Sequence, residues 1–231
     1  VLASALNTLD GKTSVDIDAS SVTSISDSYT NANILYVTNF ANFTGLGDEA
    51  ITLTDASVTA TQANTIANAT SGVVTATIST GAVTSTLNAI ANVDASDVIT
   101  FTTDDSSVDA SDLVDLKAKV DALTLSTVTD ITEAYDTANV TTEVTDALAI
   151  AADRNVAITG GSISAANVNT IANATSGVVT ATVASDTASA LNTALANADA
   201  NDALTLIVTD TAGVLASALN TLDGKTSVDI D

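Results

Sequence analysis

The chain has 231 residues, 46% of them apolar, and 28 Asp and Glu against 5 Lys and Arg give a net charge of −23. That composition is globular, of one or two domains. It contains no His, Cys, Met, Trp or Pro, which excludes Ser-His triads, thiolate nucleophiles, structural zinc and disulfides, while the acidity disfavours nucleic acid and anionic membranes.

There is no apolar run long enough to span a bilayer and no signal-peptide pattern at the N-terminus, so neither membrane insertion nor a leader within this sequence is expected. The missing Met reads as a chain that is not a complete, unprocessed translation product. Two repeats organise the rest. Residues 1–18, VLASALNTLDGKTSVDID, recur unchanged at 214–231, and NTIANATSGVVTAT at 64–77 recurs unchanged at 169–182. The chain is accordingly divided into the tail of a preceding block (1–14), block one (15–122), block two (123–227) and the start of the next block (228–231), an excerpt of a longer array.

In chain order, the first strand expected is VDID at 15–18. A long irregular turn then runs to 49 and carries Tyr29, Tyr36, Phe40 and Phe43. Strands ITLT (51–54), VTATI (74–78) and ITFTT (99–103) follow by their period-two alternation. VDASDLVDLKAKVDAL at 108–123 changes to helical spacing through Leu113, Leu116, Val120 and Leu123, with Ser111 or Asp112 as N-cap. Block two opens with LTLST (123–127) and a second long turn, where AYDTAN at 134–139 matches SYTNAN at 28–33 and supplies Tyr135. Next come a helix at 141–152, VAIT (156–159), a helix at 164–174, VTATV (179–183), a helix at 187–198 with Leu191 and Leu195, LTLIV (204–208), and a helix at 214–222 with Leu215, Leu219 and Leu222. Gly177 and Gly224 are placed to take the left-handed C-cap conformation.

Strands joined through helices run parallel, and right-handed crossovers put every helix on one face. The expected fold is therefore α/β: a right-handed parallel strand-plus-helix solenoid of about eight turns, four per block, with one sheet face open and curved into a rod. The alternative is an all-β parallel solenoid, since Thr and Val are poor helix formers. The inward set is Ile51, Leu53, Val74, Ala76, Ile78, Ile99, Phe101, Leu123, Leu125, Val156, Ile158, Val179, Ala181, Val183, Leu204 and Leu206; the outward set is mostly Thr.

Asp recurs after the strands, at 18, 55, 105, 130, 186, 210 and 231. Capping of the following helix or turn is the preferred reading. The functional one is calcium, the candidate cofactor, through Asp16, Asp18, Asp104, Asp105, Asp109 and Asp112 in DIDASS and DDSSVDASD, although neither segment matches an EF-hand loop. No catalytic residues are expected. Outward Thr resembles a pleated, half-exposed surface more than an ice-binding array, because Asp16, Asp18, Ala157 and Ile207 interrupt it. Asn42, Asn68, Asn139 and Asn173 stand in glycosylation sequons, which makes glycans a partner class, but such motifs arise by chance in this composition. The aromatic turns read as small local cores or contact knobs.

VTSISDSYTNAN, GLGDEAITLTD, LNTLDGKTS and NTIANATSGVVTAT resemble the repeat regions of very large, repetitive cell-surface proteins of aquatic bacteria, notably marine cyanobacteria, some linked to non-flagellar swimming. The resemblance implies an exported filament, adhesin stalk or surface-layer component and carries no ligand motif. The expected function is a non-enzymatic structural repeat of an extracellular filament, surface layer or giant cell-surface protein, with copies of itself, end to end, as partners. The rivals are a calcium-dependent, ice-binding or carbohydrate-binding adhesin module and, last, a carboxylate-based polysaccharide hydrolase, whose site should break the repeat.

Overall fold

Val- and Thr-rich alternations become parallel strands, and Ala- and Leu-bearing stretches between them become short helices, in the computed structural model, which describes residues 1–211 and 213–231. Two units result. The first comprises Val1–Asp104 and Asp115–Ser126, the second Asp105–Val114 and Thr127–Asp231.

The first unit begins with α1 (Ala3–Asp10), β1 (Ile17–Asp18), β2 (Ser24–Asp27) and α2 (Tyr29–Asn33), which runs into a π-helical turn at Ile34–Thr38 and a 3-10 turn at Phe40–Asn42. There follow β3 (Phe43–Thr44), β4 (Ala50–Leu53), α3 (Ala60–Ala67), β5 (Val74–Thr77), α4 (Val83–Ala89) and β6 (Val98–Thr102). The chain then gives β7 (Ser107–Asp109) to the second unit, passes through α5 (Ala110–Lys117) and returns as β8 (Ala122–Thr124). Sheet order in the first unit is β2-β4-β5-β6-β8, with β1 and β3 forming a separate pair. The second unit continues with β9 (Asp130–Ala134), α6 (Val140–Ile150), β10 (Asn155–Ile163), α7 (Ala165–Ala174), β11 (Val179–Val183), α8 (Ala188–Ala194), β12 (Ala203–Thr205) and α9 (Ala216–Asp223). Its sheet runs β12-β11-β10-β9-β7.

The eight-turn solenoid with a single sheet is therefore corrected. Among the described residues the strands divide among three separate parallel sheets, of two, five and five strands, and sequence order breaks where β7 joins one sheet before β8 completes the other. Repeat spacing gives the direction and separation of strands, whereas sheet membership depends on which backbone edge each strand meets. After β6 the polar run Asp104, Asp105, Ser106 interrupts the apolar alternation, and Val108 resumes it against Ile131 instead of Leu123. The all-β alternative is corrected as well, since nine α-helices occur among the described residues. Even the Thr- and Asn-rich 60–67 is helical: Thr59 accepts from the Gln62 N–H while the Gln62 side chain accepts from the Thr59 N–H, a closed capping box.

Helix 108–123 shortens to α5, and its cap is Asp109, whose carboxylate accepts from the Ser111 and Asp112 N–H groups. Neither glycine is a left-handed C-cap. Gly224 has φ −69°, and the glycines with positive φ are Gly45, Gly47 and Gly160. The inward set is buried except Leu123 and Leu125, which are half-buried; Leu123 lies on β8, the edge strand of its sheet. Among the outward residues Thr52, Thr54, Thr77, Thr180 and Thr182 are exposed. Val98 interrupts them in the row Thr52, Thr75, Val98.

The first long turn builds its own small core, with Leu35, Tyr36 and Phe43 buried and the Tyr36 and Phe40 rings stacked 6.5 Å apart.

Candidate functional site

Of the six carboxylates considered for calcium, Asp16, Asp18 and Asp104 are exposed and Asp105, Asp109 and Asp112 half-buried. No group of three or more acidic side chains with metal-holding spacing forms among the described residues. Asp18 accepts from the N–H and hydroxyl of Ser20 at 3.0 and 2.6 Å, and the hydroxyl bond, followed by the backbone one, lowers its pKa. Asp109 does the same for Ser111, at 3.1 and 2.7 Å. Beside it Glu133, on β9, also accepts from the Ser111 N–H at 3.2 Å. Burial, and next the Asp109 charge, push Glu133 above its usual range. This acidic pair escaped the sequence reading because its members lie on separate strands. The geometry is that of an N-cap, so Asp109→Ala is expected to cost about 1 kcal/mol. Melting should coincide in chelator and in millimolar calcium; a calcium-dependent rise in melting temperature would show an ion at these carboxylates.

A second set of polar side chains spans neighbouring strand–helix segments, and the sequence reading missed it. Thr70 donates to the Glu49 carbonyl at 2.8 Å and accepts from the Gly72 N–H at 2.9 Å. Thr175 repeats this with the Arg154 carbonyl at 2.7 Å and the Gly177 N–H at 2.9 Å. Both threonines lie in the NATSG of the repeated sequence, and its glycine is there for space. A Cβ at Gly72 would stand 2.3 Å from the Glu49 carbonyl oxygen, and one at Gly177 would stand 2.4 Å from that of Arg154.

One segment further along, aspartate does the same work. Asp97 accepts from the Val74 N–H at 2.7 Å and from its own loop's Asp94 N–H at 3.2 Å. Asp202 accepts from Val179 at 2.8 Å and Asp199 at 3.2 Å. Both are buried. Burial raises the Asp202 pKa against the two N–H bonds, and the Asp199 charge acts in the same direction. The signal was available: DASD at 94–97 and DAND at 199–202 keep the spacing that separates the two NATSG copies.

In the first long turn the buried Tyr36 hydroxyl donates to Glu49 Oε2 at 2.6 Å, and the Gly47 N–H donates to the same oxygen at 2.9 Å. Burial, then the Glu49 bond and the charges of Glu49 and Asp48, hold the Tyr36 phenol far above its ordinary range. A tyrosinate absorbance titration of the native chain minus that of Tyr36→Phe should therefore show no step near about pH 10. A step there would place Tyr36 in contact with solvent.

The N-terminal segment is seated on the residues that follow it. The Val1 ammonium donates to the Ser24 carbonyl at 2.9 Å, the Ser4 N–H to Asp27 Oδ2 at 2.8 Å, and the Asn7 amide to the Asn31 carbonyl at 3.0 Å. Ile17–Asp18 pairs with Phe43–Thr44, and Ala3 and Leu6 are buried. Burial of Asp27 opposes ionisation, but the bonds from Ser4, Asn31 and Ser28 outweigh it and bring the pKa to about 2. The folded value lies below the unfolded one, so this stabilisation is full above the ordinary carboxylate range and lost as pH falls towards about 2. The stability gap between the native chain and Asp27→Asn should accordingly close as pH falls from about 4 to about 2. A gap independent of pH would exclude the carboxylate as the group responsible.

Comparison with protein-family models, with curated proteins and with solved structures gives no match for this chain.

Proposed function

We propose that this chain is a non-enzymatic structural segment of a large extracellular cell-surface protein, whose partners are further copies of the same repeat. The observation that carries this reading is what the repeat is used for. NATSG, DASD and DAND all tie one strand–helix segment to the backbone of its neighbour. These four polar side chains are thus engaged in holding the backbone, and they recur with the repeat.

A net charge of −23 adds a strongly hydrated, self-repelling surface. No helix among the described residues is long and apolar enough to cross a membrane. The likeness of the repeats to bacterial cell-surface proteins supports the extracellular location, and the four sequon asparagines are exposed.

The test is antibody labelling of intact cells that make the protein, before and after external protease. Surface labelling that protease removes without lysis is expected. Labelling only after permeabilisation would overturn the proposal.

A further inference from the structure

The first long turn is where aromatic side chains break the repeat. Tyr29, Tyr36, Phe40 and Phe43 lie in it, whereas Tyr135 is the one aromatic residue of the sequence after position 122. Within the first unit a groove of about 570 Å³ is lined by Tyr36, Val37 and Phe40 from this turn and by Thr65, Asn68 and Ala69 from the end of α3, a volume typical of ligand pockets. The α3 wall recurs at the end of α7 as Thr170, Asn173 and Ala174. The aromatic wall does not, because the helix that packs against α7 is α6, which carries no aromatic residue. The groove therefore occurs once, while the interlocks recur.

Its apolar wall is held rigidly although it is open. Tyr36 is buried and anchored through its hydroxyl to Glu49. The Phe40 ring stacks on Tyr36 at an interplanar angle of 26° and lies against the backbone of Gly47, where a Cβ would stand 3.8 Å from Phe40 Cζ. Phe40 is nevertheless 42% exposed and Val37 56% exposed. The π-helical bond from the Asn39 N–H to the Ile34 carbonyl, at 2.8 Å, shapes this wall, and such turns are frequent at functional sites. A fixed, exposed aromatic face is preorganised for a ligand. The polar wall is equally available. Asn68 is exposed and its amide is unbonded among the described residues, so it offers two donors and an acceptor. The Thr65 hydroxyl donates to the Thr61 carbonyl at 2.8 Å and keeps its accepting side.

We propose that this groove binds a neutral saccharide, with Phe40 and Val37 against one face of a pyranose ring and Asn68 and Thr65 bonding its hydroxyls. Charge selects the ligand class. None of the six lining residues is charged, so a cationic ligand finds no carboxylate in the groove, and the net charge of −23 repels an anionic one. What fits is an uncharged molecule that has an apolar face and a rim of donors and acceptors. A pyranose has both: its C–H face suits the negative face of an aromatic ring, and its hydroxyls pair with an amide and a hydroxyl. This binding function is additional to the structural one and does not depend on where the chain resides.

The test uses the full chain made in a host that does not glycosylate asparagine, so that Asn68 is unmodified. Cellohexaose, chitohexaose and maltohexaose are titrated calorimetrically, with hexagalacturonate as the charged control. At least one neutral probe should bind saturably and hexagalacturonate should not. Phe43 and Phe101 are buried, so the phenylalanine ring signals that shift in NMR spectra on binding should be those of Phe40. Phe40→Ala should weaken binding about tenfold or more and Asn68→Ala about fivefold, the loss of an aromatic contact and of one hydrogen bond. Phe40→Leu, which keeps the apolar bulk and removes the ring, should weaken it as well and serves if Phe40→Ala fails to fold. Asn173→Ala, at the repeated wall that faces no aromatic residue, should bind like the native chain. No binding of any neutral probe, equal binding of hexagalacturonate, unshifted Phe40 signals, native affinity in Phe40→Leu, or equal losses in Asn68→Ala and Asn173→Ala would each overturn the proposal. So would sedimentation in which the native chain self-associates and Phe40→Leu does not, a result that would assign the groove to a second copy.

Discussion

Leu116→Ala is expected to lower the stability of the chain by about 2–5 kcal/mol, the cost of emptying a closed core site whose surroundings relax only in part. Leu116 is 0% exposed on α5, with Leu113 buried on the same helix and Val120 buried just beyond its end. Ala has a helix propensity at least as good as Leu, so the loss registers packing and not helix formation. The measurement is urea unfolding followed by far-UV circular dichroism. With two units the transition need not be two-state, so the part of the curve that shifts also identifies the unit that depends on this side chain. A change within experimental error would mean that α5 presents another face to the core.

Gly72→Ala and Gly177→Ala are the second pair of large effects, expected to cost about 3 kcal/mol each. The added Cβ would lie 2.3 and 2.4 Å from the Glu49 carbonyl oxygen and carbon in the first case, and 2.4 and 2.5 Å from those of Arg154 in the second. The obstructing atoms are backbone, so no side chain can rotate away. Relief requires moving the neighbouring segment, which lengthens the Thr70 or Thr175 bond to that same carbonyl. Gly224→Ala is the internal control, because its Cβ would meet the nearest atom at 3.5 Å and the backbone there is an ordinary right-handed conformation. Thermal melts of the three variants should separate the first two from the third. Equal, small shifts in all three would show that the close approach is not maintained in solution.

Alternation alone marked most of the buried strand residues, from Ile51 to Leu206, because a strand with one covered face must alternate. It did not reveal β2, β3, β7 or β9. β3 is held as a pair of residues by its partner β1, and β9 carries the buried Glu133 at a position where alternation calls for an apolar residue. Asp18 and Asp109 were legible as caps, since Asp before a helix or turn satisfies nearby N–H groups. The interlocks were marked only by the recurrence of NATSG and of DASD and DAND at one spacing; their partners were not legible, because those of Thr70 and Asp97 are 21 and 23 residues away and are backbone atoms of whatever sequence lies there.

The repeated segment separates the two levels most directly. VLASALNTLDGKTSVDID forms the helix Ala3–Asp10 in one place and Ala216–Asp223 in the other, with the following glycine in the same right-handed conformation. Helix limits and their caps are thus properties of the local sequence, since they rest on hydrogen bonds within a few residues. Which leucine is buried is not: Leu6 is covered and Leu9 open in the first copy, whereas Leu222 is covered and Leu219 open in the second. Burial depends on what is packed against a surface, and the same residues on either side of a helix are inside or outside according to the neighbour the fold supplies. Division of the strands among separate sheets has the same origin, because a backbone edge bonds to any sequence presented in register and only the tertiary arrangement decides which one is presented.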